Sequence, residues 1–234
     1  MKKIITIAVL FAAMFTPAMA QNLDTTISRS VKVPERNKDR LLLSTYNCFW
    51  QGLSDGVTQR AISQGYNISL MYDIPTSEKS KISFGLGLGY SRNNIYSDGI
   101  TVRDVSTDIV SMVPITVKYN TNKLAFSYLN IPLEIRFRSS NNFRLAVGLR
   151  SSLKFDAYSK YYGHNPDTLV YGHYNQIKII NHDISNTEKY LFEITARAGW
   201  KFINVNGSFL LNKLFKDNGP AINGYTLGLT LSLW

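Results

Sequence analysis

A single cysteine, Cys48, stands in a chain of 234 residues, so no internal disulfide can form. After residue 20, no stretch approaches the roughly 20 consecutive apolar residues that a membrane helix needs, and mean hydropathy is −0.11. Helical membrane spans are thereby excluded from the mature chain. A transmembrane barrel is not, because its strands place side chains alternately in lipid and lumen and keep average hydropathy unremarkable. Histidine is scarce, at three residues. No P-loop, GxSxG, HExxH or CxxC pattern occurs. Gly85-Leu86-Gly87-Leu88-Gly89 alternates within a strand-like run and opens no helix, so it is no nucleotide fingerprint. No Ser/His/Asp set is tied to a strand end. These absences read as a non-enzymatic protein without a cofactor.

What is present begins with an export signal. Lys2 and Lys3 precede an apolar run from Ile4 to Phe15, and Pro17-Ala18-Met19-Ala20 supplies small residues at the −3 and −1 positions of a cleavage site. Residues 1–20 are expected to be a signal peptide, cleaved after Ala20. The competing reading is one N-terminal membrane anchor, but the apolar run is short for a span. No Cys follows the run, which argues against a lipoprotein. Residues 21–40 are polar, charged and contain Pro34, and read as a flexible periplasmic segment; an extra strand capping the fold is the alternative. The formal charge of +10 becomes +8 once Lys2 and Lys3 are removed. Such a basic balance can serve nucleic acid, but the cations are dispersed and the chain is exported, so no nucleic-acid partner is expected.

The remaining signal is alternation with period two, which a helix of period 3.6 cannot produce. Ile82, Phe84, Leu86, Leu88 and Tyr90 fall on one face, with Ser83, Gly85, Gly87, Gly89 and Ser91 on the other. Tyr225, Leu227, Leu229, Leu231 and Leu233 alternate with Thr226, Gly228, Thr230 and Ser232. The pattern recurs often enough to predict eight strands, at about 41–51, 61–74, 80–93, 123–138, 142–158, 188–201, 203–213 and 224–234. Eight is even, as bacterial single-chain barrels require. Residues 41–234 are therefore expected to form an all-β, eight-stranded antiparallel up-and-down transmembrane barrel. The connections agree. Short links around Pro75–Lys79, Ser139–Asn141 and Phe202 alternate with longer ones at 94–122, 161–187 and 215–223. Outer-membrane barrels pair short periplasmic turns with longer outside loops, so both termini belong in the periplasm of a Gram-negative envelope.

Alternation alone does not say which face is wet. A soluble lipocalin-like barrel points its apolar residues inward; a membrane barrel inverts the sense. The apolar rows carry aromatics near their ends, among them Tyr66, Tyr72, Phe137, Phe143, Tyr190, Trp200 and Tyr225, as interfacial girdles do. The opposite face holds Glu134, Arg136, Arg150, Glu193 and Arg197 in mid-strand. A lumen of eight strands is just wide enough for side chains to fill it. The five charges are accordingly expected to form a structural ion-pair network that closes the barrel. The functional alternative is a gated ion path or a small ligand site. His164, His173 and His182 share one outside loop, and Tyr-Gly-His occurs at 162–164 and 171–173. Imidazoles suit Zn or Cu, yet the plainer reading is ordinary loop residues with no metal. Expected partners are outer-membrane lipid, the barrel-assembly machinery during biogenesis, and envelope proteins at the loops.

Three stretches carry a family likeness: Gln64–Pro75 (QGYNISLMYDIP), Phe84–Gly89 (FGLGLG) and Tyr128–Arg138 (YLNIPLEIRFR). The chain resembles the PorT-like outer-membrane β-barrel family of small, OmpX-sized barrels over nearly its whole mature length, most specifically in the third stretch. The resemblance implies an eight-stranded barrel with no catalytic residues to carry over, and an accessory role in protein secretion such as some members of that family have. In one respect the chain departs from the usual barrel-assembly signal. Trp234 ends the chain, but Leu227, Leu229, Leu231 and Leu233 lie in the opposite phase to that aromatic.

Overall fold

The computed structural model describes residues 40–233 apart from 78–79, 105, 165–175, 183 and 185. The signal peptide at 1–20, the segment 21–39, His173 and Trp234 lie outside the described residues. Eleven strands follow in chain order: β1 Leu41–Gln51, β2 Gln64–Pro75, β3 Ile82–Tyr96, β4 Gly99–Arg103, β5 Val110–Pro114, β6 Tyr119–Arg138, β7 Phe143–His164, β8 Gln176–Asn181, β9 Tyr190–Trp200, β10 Ile203–Leu210 and β11 Asn223–Leu233.

Eight of them close into a ring. The order runs β1, β2, β3, β6, β7, β9, β10, β11, and β11 returns to β1 from Leu41↔Leu233 to Gln51↔Asn223. Every pairing around the ring is antiparallel. Closure removes the sheet edges that lipid could not hydrogen-bond. The predicted strands coincide with these eight. The remaining strands elaborate the long-loop end: β4 and β5 form a hairpin, and β8 extends the upper half of β7.

Two irregularities have local causes. The β3–β6 ladder runs from Ile82↔Phe137 to Leu86↔Leu133 and resumes at Gly89↔Asn130, skipping the stretch opposite Pro132, which has no amide to donate. Between Ser127↔Asp156 and Tyr128↔Lys154 the β6–β7 register shifts, leaving Phe155 as an extra residue. Such a bulge reverses side-chain phase. Ala146 and Ser152 face inward below it at even positions, and Ala157 and Tyr161 are buried above it at odd ones.

The sense of the faces is inverted relative to a soluble barrel. Ile82, Phe84, Leu86, Leu129, Ile131, Leu133, Ile135, Leu145, Val147, Leu149, Phe192, Ile194, Val205, Leu227 and Leu229 are all exposed, while their strand neighbours Asn67, Ser69, Ser83, Ser91, Asn130, Arg136, Arg197, Asn204, Thr230 and Ser232 are buried. Tyr72, Phe137, Phe143 and Trp200 border the belt at the short-turn end; Tyr66, Tyr190 and Tyr225 border it at the long-loop end. The short turns are tied together, with the Lys201 amide donating to the Asn142 carbonyl at 3.0 Å. Leu133 sits mid-belt at 50% exposure. Leu133→Arg is expected to lower stability by about 2–4 kcal/mol in lipid vesicles, as a cation at the bilayer midplane does. Denaturant titration of vesicle-refolded protein measures this.

Candidate functional site

The candidate site is the lumen, because all eight ring strands send their polar faces into it. Near the middle, Arg150 of β7 lies in register opposite Glu193 of β9. Its Nε donates to Glu193 Oε2 at 2.6 Å and its Nη2 to Oε1 at 2.8 Å. This two-pronged geometry is the strongest form of side-chain ion pair. Ser208 of β10 donates to Glu193 Oε1 at 2.9 Å and shares a hydrogen bond with Thr226 of β11.

Toward the short-turn end, Glu134 Oε2 accepts from Arg136 Nε at 2.8 Å and from Arg197 Nη2 at 2.9 Å. Arg136 reaches Asp73 of β2 at 3.5 Å, and Ser83 of β3 donates to the same Asp73 oxygen at 2.7 Å. Arg197 Nη1 donates to Ser232 of β11 at 2.7 Å, and Asn204 of β10 donates to the same hydroxyl at 2.9 Å. Room for the Arg136 head comes from Gly85, where a Cβ would lie 2.7 Å from Arg136 Nε. An uncharged cluster joins the remaining wall: Asn130 donates to Asn67 at 2.9 Å, Asn67 to Ser69 at 2.9 Å, and Tyr46 of β1 to Asn93 at 2.7 Å. All of Glu134, Arg136, Arg150, Glu193 and Arg197 thus line the lumen. Their hydrogen bonds group them as one pair and one triad.

Two features were not singled out from sequence. Asp73 joins the triad; its signal was its place in the inward row of Asn67, Ser69 and Met71. The long-loop half of the lumen is apolar. Trp50, Phe126, Tyr128, Leu191, Leu210, Leu214, Phe215 and Ile222 pack into one core there with Val57, Val110 and Met112 from the loops. The voids that remain are small. One of about 100 Å³ lies at the long-loop end beside Asn122, Leu124 and Tyr161, one of about 50 Å³ beside Tyr46, Glu134, Arg150 and Arg197, and another of about 40 Å³ beside Cys48, Tyr128 and Glu193. Small-molecule pockets run to about 300–1,000 Å³, so these are sized for water.

The four connections at the long-loop end are cross-tied into a cap. Thr58 donates its amide and hydroxyl to the two Asp98 oxygens at 2.6 Å each. Val110 donates to the Asn218 carbonyl at 2.7 Å, Lys216 to that of Asn186 at 2.8 Å, and Glu188 to that of Leu214 at 2.8 Å. His182 packs on Tyr158 with ring centres 5.7 Å apart, and His164 ends β7. The six positions between Tyr158 and His164 span roughly 20 Å of strand, so these two imidazoles are not brought together.

A lone charge left behind in the lumen costs more than a pair removed whole. Glu193→Gln is expected to destabilise the barrel by about 3–5 kcal/mol, and Glu193→Gln with Arg150→Met to recover part of that loss. Denaturant unfolding of refolded protein, read by the shift between folded and unfolded bands on unheated gels, checks the order of the three proteins.

A family model described as an outer membrane protein beta-barrel domain matches residues 44–216. Among solved structures the chain is similar to Ail, the attachment invasion locus protein of Yersinia pestis, with a TM-score of 0.38 and 11% identity over 82% of this chain and 95% of that one. Ail in complex with the heparin analogue sucrose octasulfate gives a TM-score of 0.37 and 10% identity over the same shares. The outer membrane protease OmpT from Escherichia coli gives 0.37 and 15% identity over 73% of this chain and 64% of that one. No curated protein matches the sequence.

Proposed function

This chain belongs to the family of outer membrane protein beta-barrel domains, and on that premise we propose that it is a sealed, non-enzymatic barrel that works through its external cap as an interaction module for envelope proteins. The observation that carries this reading is the filled lumen. Inward side chains from all eight ring strands are hydrogen-bonded or packed, with charges on the inside half and an apolar core on the outside half. A barrel closed twice over has no path for a solute. The lumen pairs are structural in this reading, and no metal or cofactor takes part. Export proceeds through cleavage after Ala20, and insertion through the barrel-assembly machinery.

The cap supplies the surface. Its four connections are tied by backbone and side-chain bonds, which preorganises them for contact. The β4–β5 hairpin faces Val110 and Met112 into the core and leaves Val102, Ile109 and Val113 about half exposed. Apolar side chains on a rigid outside hairpin favour a protein partner over a solute. A role accessory to protein secretion is the narrower reading; the likeness of Tyr128–Arg138 to PorT-like barrels supports it.

Two measurements test the proposal. In planar bilayers the wild-type protein is expected to give no steady unitary conductance; a stable open level would contradict a sealed lumen. A photo-crosslinking residue at position 102, 109 or 113 in cells is expected to yield discrete protein adducts that the same residue at position 133 does not. Equal adduct patterns from cap and belt would remove the interaction role.

A further inference from the structure

Just above the outside edge of the apolar belt, one face of the barrel wall changes character. Leu129, Tyr90 and Leu153 form the last apolar row across β6, β3 and β7. Arg92 lies one row higher, opposite Ser127, whose partner on β7 is the carboxylate residue Asp156, and Lys123 and Lys160 lie three rows above the belt, directly opposite each other, so the face carries three cations and one anion. At 3.3 Å per residue these rows stand about 7 and 20 Å further along the strand, or roughly 5 and 15 Å along the membrane normal at a tilt near 40°.

Two of the three cations are held in place by described contacts. Arg92 lies over the Tyr158 ring at 5.1 Å and donates to its hydroxyl at 2.6 Å. Lys123 Nζ lies 5.6 Å from the centre of the same ring and 5.9 Å from that of Tyr96, and donates to Asn94 at 3.0 Å. Among the described residues no carboxylate forms an ion pair with Arg92, Lys123 or Lys160. Like charges directly opposite on neighbouring strands repel. The Lys123–Lys160 pair therefore places like charges on adjoining strands, an arrangement that a bound anion would offset. The cations face outward, in the same sense as the lipid-facing rows below them, and they begin where acyl chains end.

We infer that the outward face of β3, β6 and β7 above the belt is a docking surface for the phosphorylated headgroup of an outer-leaflet glycolipid. Arg92 and the facing Lys123 and Lys160 bind its phosphates, and Tyr90 and Phe155 border its acyl chains. Tyr90 and Phe155 are in ring contact at 5.9 Å and continue to Tyr66 at 6.0 Å, making one aromatic ledge beneath the cations. The inference rests on the membrane orientation given above, but its test does not, because lipid binding is measured on purified protein.

The probe is fluorescent diphosphoryl lipid A, titrated against the full-length barrel in zwitterionic micelles and followed by anisotropy, with dephosphorylated lipid A and inorganic phosphate as comparisons. Near a charged membrane surface each cation is worth roughly a fivefold change in binding. Lys123→Gln with Lys160→Gln is expected to weaken diphosphoryl lipid A binding roughly 25-fold, and Lys123→Arg with Lys160→Arg to retain it. Dephosphorylated lipid A should bind the wild type no better than it binds the Gln variant. Folding of each variant is read on unheated gels. Should the double variant misfold, Lys160→Gln alone serves, since that side chain makes no described hydrogen bond, and a fivefold loss is expected. Equal binding by wild type and Gln variants, or by the two lipids, overturns the inference. So does inorganic phosphate displacing the lipid at equal concentration, which would make the site one for a free anion.

Discussion

A backbone that crosses lipid must satisfy its own amides and carbonyls, and a sheet can do so only by closing on itself. The pairing of β1 with β11 performs that closure. Once it is made, each residue of a ring strand has one of two places, lipid or lumen, and sequence parity decides which. Leu133 and Glu134 are neighbours with opposite fates: one stands half exposed in the belt, the other accepts from two arginines inside. A one-residue slip would exchange the two faces of a whole strand. The register is therefore held by the cost of putting Arg136, Arg150 or Arg197 into lipid.

The lumen then has to be filled, and the chain fills its two halves differently. On the short-turn half, charges are matched across strands that adjoin, as for Arg150 and Glu193, or that are separated by one strand, as for Glu134 of β6 and Arg197 of β9. Buried pairs contribute little net stability, because desolvation offsets the attraction. Their effect is to make any other register worse. On the long-loop half, the strands rise past the belt and the loops fold back, so an apolar core can form without lipid. Phe126, Tyr128 and Leu191 meet Leu214 and Phe215 there. The result is a barrel wall that ends in a small water-facing domain of the same chain.

Much of the ring was legible in the sequence, because two-residue periodicity is a direct imprint of a two-sided wall. Ile82 to Ser91 and Tyr225 to Leu233 show it without interruption. The inward charges were legible for the same reason, since Glu193 and Arg197 share the parity of Leu191 and Thr195. Their grouping was not, because it depends on which side chains reach past an intervening strand inside the lumen; Asp73 of β2 shows this, meeting Arg136 of β6 from two strand positions away in the ring order. The cap was least legible. Its ties, such as Thr58 to Asp98 and Val110 to Asn218, join residues far apart in sequence whose own neighbours show no period. The bulge at Phe155 likewise leaves no mark in composition, yet it turns Ala157 and Tyr161 inward and lets β7 serve wall and cap in different phases.

The central claim is that parity assigns lipid and lumen around a closed and filled ring. It is tested most directly at two adjacent positions of β9, where Ala196 is exposed and Arg197 is buried. Single nitroxide labels at 196 and at 197, in a background with Cys48→Ser, would be measured in vesicles for collision with oxygen, which concentrates in lipid, and with a water-soluble nickel chelate. The account predicts high oxygen and low nickel accessibility at 196, and restricted access to both at 197. Lipid exposure at 197 with a shielded 196 would contradict it.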